Sequence, residues 1–221
     1  TWNQRARDAK PDWMSPRMAW RAIQSALPKN AIISSDIGNN CAIGNAYPSF
    51  DEGRKYLAPG LFGPCGYGLP SIVGAKIGQP TVPVVGFAGD GAFGISVNEL
   101  TAIGRDEWPA ITQIVFRNYQ WGAEKRNSTL WFDDNFVGTE LDTKVSYAGI
   151  AQACGLKGVQ ATNMDQLTEL LNHAIKDQME NNVTTLIEVI LNQELGEPFR
   201  RDAMKKPVQV AGVIASDMAA E

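Results

Sequence analysis

TVPVVGFAGDG, Thr81 to Gly91, decides how this chain folds. Its first eight residues, Thr81 to Ala88, form an apolar, β-branched run of the kind that fills a buried strand. The run ends in Gly89-Asp90-Gly91, a turn that leads into a helix. A carboxylate and exposed backbone N–H groups therefore meet at one sheet edge. A second such run, Ile111 to Phe116 (ITQIVF), is closed by Asn118. Asp90 offers a hard oxygen to a divalent cation, Asn118 a second, neutral one, and Gly91 leaves the backbone open to a phosphate. The pattern suits a diphosphate held through a metal, with the helix turning its partial positive end toward the anion.

The flanking segments repeat the same alternation. Ser15 caps a helix with Pro16 at its first position, running to about Leu27, and Ala31 to Ser35 is a short strand ending in Asp36-Ile37-Gly38-Asn39-Asn40. A Gly- and Pro-bearing loop leads to a helix from Gly66 to about Ile77, and another is expected around Val97 to Gly104. Thr143 to Cys154 and Met164 to Met179 read as helices, Leu156 to Ala161 and Thr184 to Leu191 as strands. This rhythm predicts an α/β fold, a doubly wound, mostly parallel sheet with helices on both faces. Ligands of such sheets bind beyond the carboxyl ends of the strands, where Asp36, Asp90 and Asn118 all fall. Residues 15–197 are expected to form this domain, with 1–14 a linker from a preceding domain and 198–221 a C-terminal extension.

Composition narrows the function. Hydrophobic residues make up 44% and charged residues 20% of 221, as in an ordinary globular domain. A net charge of −4 gives no general attraction to nucleic acid or anionic lipid. Cys41, Cys65 and Cys154 lack any Cys-x-x-Cys pairing, which fits a reducing compartment and neither a disulfide framework nor a zinc site. No apolar stretch reaches the length of a membrane span and the first residues (TWNQRARDAK) do not read as a signal peptide, so a cytoplasmic protein is expected. His173, the single histidine, falls beside the apolar stripe of its helix and is expected to be exposed.

Gly89-Asp90-Gly91 with Asn118 resembles the thiamine-diphosphate motif of the acetolactate synthase and pyruvate oxidase superfamily. Gly63-Pro64-Cys65-Gly66-Tyr67-Gly68-Leu69-Pro70 is similar to the segment that supports the bent cofactor under its thiazolium ring. Asp36-Ile37-Gly38-Asn39-Asn40 is similar to the first diphosphate loop. Within the superfamily, WGAEKRN (Trp121–Asn127), FVGTEL (Phe136–Leu141) and ELGEPFRRDAM (Glu194–Met204) are similar to the sulfoacetaldehyde acetyltransferases, which convert sulfoacetaldehyde and phosphate to acetyl phosphate and sulfite.

The resemblance implies a site. Asp90 and Asn118 side chains and the Gln120 carbonyl would bind magnesium. Gly38, Asn39, Asn40, Gly89 and the amides of Gly91, Ala92 and Phe93 would hold the diphosphate. The Gly63 carbonyl would accept from the aminopyrimidine. Cys65 would lie beneath the thiazolium, where relatives place Met, Leu or Ile. Lys125, Arg126 and Trp121 are candidates to face the anionic substrate and phosphate; the competing reading puts the two cations on a solvated helix face and the tryptophan in the core or an interface. Tyr119 stands where the family usually has a second Asn.

The glutamate that activates the cofactor lies, in this superfamily, in a separate pyrimidine-binding domain contributed by the partner subunit. The chain is therefore expected to be a fragment or one half of a split enzyme, inactive alone and working in a homodimer or homotetramer. The competing readings are an acetolactate-synthase-like carboligase or 2-oxo-acid decarboxylase, and a non-catalytic α/β module for nucleotide binding or oligomerisation.

Overall fold

The computed structural model describes residues 13–53, 55–133 and 135–195. In chain order the elements are α1 (Pro16–Ala26), β1 (Ile32–Ser35), α2 (Asn39–Gly44), β2 (Tyr56–Leu57), α3 (Gly68–Gly78), β3 (Val84–Gly89) and α4 (Asp90–Ser96). A 3-10 turn, Val97–Glu99, then leads to α5 (Leu100–Ile103), β4 (Thr112–Arg117), α6 (Gly122–Trp131), α7 (Tyr147–Ala153), β5 (Lys157–Ala161), α8 (Met164–Glu180) and β6 (Thr185–Ile190). The strands form one six-stranded sheet in the order β2-β1-β3-β4-β6-β5, and every pairing is parallel.

Alternation along the strands builds two cores. Val85 and Phe87 of β3, Ile114 and Phe116 of β4, and Ile187 and Val189 of β6 face α1 and α8. Val84, Ala88, Val115 and Leu186 face α3, α5 and α7 through Leu69, Ile72, Leu100 and Ala151. Both faces are covered, so β1, β3, β4 and β6 are buried along nearly their whole length. Each fully buried Phe or Ile contributes about 1.5–3 kcal/mol relative to exposure.

Trp20 of α1 joins core to site. Its ring lies 4.7 Å from Phe87 and 5.3 Å from Phe116, centroid to centroid, and its Nε1 donates to the Asn40 carbonyl at 2.7 Å. A Cβ on Gly44 would come within 2.1 Å of Cζ2 of this indole, so only glycine lets α2 sit down on it. The chain leaves β1 for the α1/α8 face, through α2, and leaves β3 for the opposite face, through α4, which carries Phe93. The sheet order reverses between these strands, and a crevice opens at their carboxyl ends.

Four local expectations change. Residues 39–44, expected as loop, form α2. The helix after the Gly-Asp-Gly turn begins at Asp90 itself and gives way at Ser96 to the 3-10 turn, in place of one helix from Val97 to Gly104. The helix expected from Thr143 starts only at Tyr147, because Ser146 is its N-cap and accepts from the Gly149 amide at 3.1 Å. Tyr56–Leu57 adds a two-residue edge strand beside β1. His173 is exposed, as expected. Among the described residues no helix is long and apolar enough to cross a membrane. The linker (but for its last residues) and the C-terminal extension lie outside the described residues, as does the side chain of Trp131.

Candidate functional site

The crevice is an open cleft of about 600 Å³ at the carboxyl ends of β1, β3 and β4. Gly38, Asn39, Asn40, Gly63, Cys65, Gly89, Asp90, Gly91, Ala92, Asn118, Gln120 and Trp121 all line it. Four segments distant in sequence thus meet there, after β1, before α3, at the end of β3 and after β4.

Asp36 ties the first segment to the second. Its Oδ1 accepts from the Ile37 and Gly66 amides at 2.8 and 3.1 Å, and its Oδ2 from the Gly68 amide at 2.7 Å. Burial lifts this carboxyl above the usual carboxylate range, while the Gly68, Ile37 and Gly66 amides pull it back. The loop it anchors carries Gly63, which takes a left-handed φ of +60°, and Cys65. Burial pushes the Cys65 thiol up, with the Asp36 and Glu124 carboxylates adding to the shift. Gly38, at φ +130°, starts α2 and brings no side chain to cap it. Asn39 reaches across to donate to the Leu195 carbonyl at 2.9 Å.

At the floor of the cleft, oxygens converge. With its amide oxygen turned inward, Asn118 places that atom 3.2 Å from Asp90 Oδ1 and 3.3 Å from the Gln120 carbonyl oxygen. Three acceptors facing one another repel unless a proton or a cation lies between them. An octahedral Mg²⁺ with ligands at about 2.0–2.1 Å holds neighbouring oxygens about 3 Å apart, so the donor set fits that ion. Without a cation the Asn118 amide satisfies the same neighbours by turning its nitrogen to them. The carboxylate, the amide and the carbonyl come from the ends of β3 and β4 and the loop that follows.

That loop is held in an unusual backbone state. Tyr119 has a φ of +60°, a region in which residues other than Gly and Asn are strained. The reversal turns both Asn118 and Gln120 toward Asp90. Segment 139–141 clamps it from outside: Trp121 N donates to the Thr139 carbonyl at 2.7 Å and Leu141 N to the Tyr119 carbonyl at 2.9 Å. Inside, Tyr119 N donates to Asp90 Oδ2 at 2.6 Å.

Behind Asp90 lies a charged network that pattern reading passed over. Arg117, the last residue of β4, is 1% exposed and donates from Nη1 to Asp90 Oδ2 at 3.2 Å. Its Nε lies 3.6 Å from Glu188 Oε1, and its Nη2 donates to the Asp142 and Val145 carbonyls at 2.5 and 3.0 Å. The guanidinium packs 4.2 Å from the Tyr119 ring centroid and 5.2 Å from that of Tyr147, whose hydroxyl donates to the Asp90 carbonyl at 2.9 Å. Glu188 accepts from Ser146 Oγ, the Tyr147 and Ala148 amides and Gln160 Nε2. Burial raises the Asp90 carboxyl from 3.8 to about 6, against the opposing pull of Arg117 and the Tyr119 and Gly91 amides. The signals were in plain view: a cation directly after the apolar Ile114–Phe116, and a carboxylate in the middle of TLIEVI.

The remaining expected residues divide. Phe93 turns its side chain into the core, edge-on to Tyr147 at 5.1 Å. Lys125 pairs with Glu140 and lies 5.2 Å from the Phe136 ring centroid. Arg126 is partly buried, its Nε has no hydrogen-bond partner, and burial lowers its pKa. The residue of this segment that does line the cleft, beyond Trp121, Gly122 and Ala123, is Glu124.

Comparison with known proteins identifies the domain. The family model described as thiamine pyrophosphate enzyme, C-terminal TPP binding domain, matches residues 36–189. The chain belongs to that family. Sulfoacetaldehyde acetyltransferase of Roseovarius nubinhibens is 82% identical over 99% of this chain and 36% of its own length. Its namesake from Rhodobacter capsulatus is 77% identical over 99% of the chain and 37% of its own length. The chain thus spans about a third of the length of the curated relatives it matches. The thiamine diphosphate-dependent 4-hydroxybenzoylformate decarboxylase of Rhodococcus jostii RHA1 superposes with a TM-score of 0.71 at 22% identity, over 81% of this chain and 33% of that one, and shows the same fold.

Proposed function

We propose that this chain is the C-terminal, cofactor-binding part of a sulfoacetaldehyde acetyltransferase, converting sulfoacetaldehyde and phosphate to acetyl phosphate and sulfite. The observation that carries the reading is the 82% identity to a protein of that name across almost the whole chain. The geometry of the cleft supports the cofactor it requires. Thiamine diphosphate supplies, when bound, the nucleophilic carbon that adds to the substrate carbonyl.

This chain's residues hold and orient. Asp90, Asn118 and the Gln120 carbonyl take magnesium between them, which anchors the diphosphate. Gly38, Asn39 and Asn40 approach the phosphates from one wall, Gly89, Gly91, Ala92 and the Phe93 amide from the other. The Gly63 carbonyl accepts from the aminopyrimidine, and Cys65, a small apolar wedge, supports the ring. Trp121 walls the cleft on the substrate side. Of the two cations that follow it, Arg126 is favoured as the oxyanion partner, since its buried Nε–H has no acceptor while Lys125 already pairs with Glu140. The activating glutamate comes from the pyrimidine-binding domain of a partner subunit in a cytoplasmic homodimer or homotetramer.

The test uses the full-length protein with thiamine diphosphate, magnesium, sulfoacetaldehyde and phosphate. Phosphate-dependent release of acetyl phosphate and sulfite in equal amounts is expected. Carboligation or decarboxylation of a 2-oxo acid without sulfite release would favour the acetolactate-synthase-like alternative. Magnesium-dependent cofactor binding that survives Asp90→Asn unchanged would refute the site.

A further inference from the structure

Arg126 keeps an unspent donor beside the cleft. The side chain is partly buried, and its buried Nε has no hydrogen-bond partner among the described residues. Two other cations nearby are taken, Lys125 by Glu140 and Arg117 by Asp90, Glu188 and the Asp142 and Val145 carbonyls. In α6, Arg126 follows Gly122 by four residues and Ala123 by three, so it shares a helix face with two residues that line the cleft. Burial works against its charge, and the nearby Glu124 carboxylate, itself on the cleft wall, works for it. A guanidinium withdrawn from water with a donor unpaired is costly until an anion joins it. We propose that Arg126 forms one oxyanion subsite that serves twice in each turnover, first for the sulfonate of sulfoacetaldehyde and then, once sulfite has left, for the acceptor phosphate.

The subsite rests on the acetyltransferase reading of the chain and deepens it. Overall, sulfoacetaldehyde and hydrogen phosphate give acetyl phosphate and bisulfite. The C–S bond breaks with its electron pair leaving on sulfite, and the neighbouring aldehyde carbon loses its hydrogen as a proton. The carbon that bore sulfur gains a proton to become methyl, and a phosphate oxygen bonds to the former aldehyde carbon. The proton that phosphate gives up goes to sulfite. One carbon is oxidised by two electrons as the other is reduced by two, so no outside oxidant is needed.

Both anions are tetrahedral groups with three outer oxygens. Both also stand two bonds from the same carbon, sulfur through the methylene of the substrate and phosphorus through an oxygen of the product. A donor that reaches one therefore reaches the other, and the planar fork of an arginine suits the oxygens of either. Held together in one partly buried place, the two anions would repel each other. Used in turn, the subsite empties with sulfite before phosphate enters.

The experiment uses the full-length protein loaded with thiamine diphosphate and magnesium. Inorganic phosphate and ethanesulfonate, a sulfonate without the aldehyde, are titrated by calorimetry, alone and against each other. Each should raise the apparent dissociation constant of the other in proportion to its own concentration. Arg126→Met should weaken both by about tenfold or more, and Arg126→Lys should restore part of both. An arginine that only supports α6 would lower the melting temperature without moving the two affinities together. Binding of both anions at once with no mutual effect overturns the inference, as does a folded Arg126→Met protein that keeps either affinity. Should that variant fail to fold, crystal structures of the parent with each anion decide: both anions on Arg126 support it, and separate partners overturn it. An enzyme that carboligates 2-oxo acids and binds neither anion sinks the acetyltransferase reading; one that makes acetyl phosphate while holding both anions together sinks the shared subsite alone.

Discussion

The indole of Trp121 lies where a side chain on Gly91 would project. A Cβ on Gly91 would stand 2.7 Å from Cε3, 2.8 Å from Cδ2 and 2.9 Å from Cζ3 of that ring. The absent side chain of the Gly-Asp-Gly turn therefore serves tertiary packing as well as any phosphate. The turn after β3 and the loop after β4 are interlocked through this contact.

Gly91→Ala should push the indole out of place, since a rigid ring on a backbone held by the Thr139 carbonyl cannot yield as a flexible chain end would. The expected cost is about 1–3 kcal/mol of stability. Cofactor affinity should fall with it, and the tryptophan emission should shift. Chemical denaturation and a cofactor titration check both. Unchanged emission with parental affinity would contradict the interlock.

The Asp90 carboxyl, raised from 3.8 to about 6 by burial, gives the site a pH dependence. A carboxyl with a raised folded pKa contributes stability that is present below its unfolded value and lost as pH rises through the folded one. The cation needs the ionised form. Magnesium-dependent cofactor binding should therefore be complete above about pH 7 and weaken by about tenfold per unit below about pH 6. Thermal shifts produced by magnesium and thiamine diphosphate, measured from pH 5 to 8, should grow with pH. A shift that is flat across this range would be inconsistent with the proposed ligand.

Asp36→Asn should loosen the segment that bears Gly63 and Cys65. The two hydrogen bonds that tie it in, from the Gly66 and Gly68 amides, are accepted by the carboxylate. An amide presents a donor to at least one N–H, and the mismatch costs about 1–3 kcal/mol. Cys65 should then react faster with a thiol reagent in the cofactor-free protein, while buried Cys41, its thiol pushed up to about 12, stays inert. Equal Cys65 labelling rates in parent and variant would show that Asp36 does not hold the loop.

Trp20→Phe keeps the aromatic contacts with Phe87 and Phe116 and removes only the bond to the Asn40 carbonyl. The loss should be about 1–3 kcal/mol, on a buried acceptor left without its donor. Because that carbonyl belongs to α2, hydrogen exchange should accelerate in residues 39–44 before it does in β3. Uniform acceleration would mean that the indole supports the core alone.

The sequence by itself determined the sheet and the floor of the site. Buried parallel strands must be apolar on both faces, so TVPVVGFA and ITQIVF are legible as strands without any neighbour, and what closes them lies at the carboxyl edge where such folds bind ligands. Asp90 and Asn118 follow from that rule, and the structure brings their oxygens within 3.2 Å. Tertiary structure decided the rest, because it depends on contacts between residues far apart in the chain. Arg117 and Glu188 each stand out locally only as a charge beside apolar residues, and their pairing exists only because β4 and β6 are neighbours in register, Arg117 opposite Ile190 and Val115 opposite Glu188. The turn of Tyr119 to φ +60° is enforced by segment 139–141 and by Asp90, and the direction of Lys125 by Glu140. Periodicity reveals which face of an element is buried; which buried charge meets which is fixed only when the sheet closes.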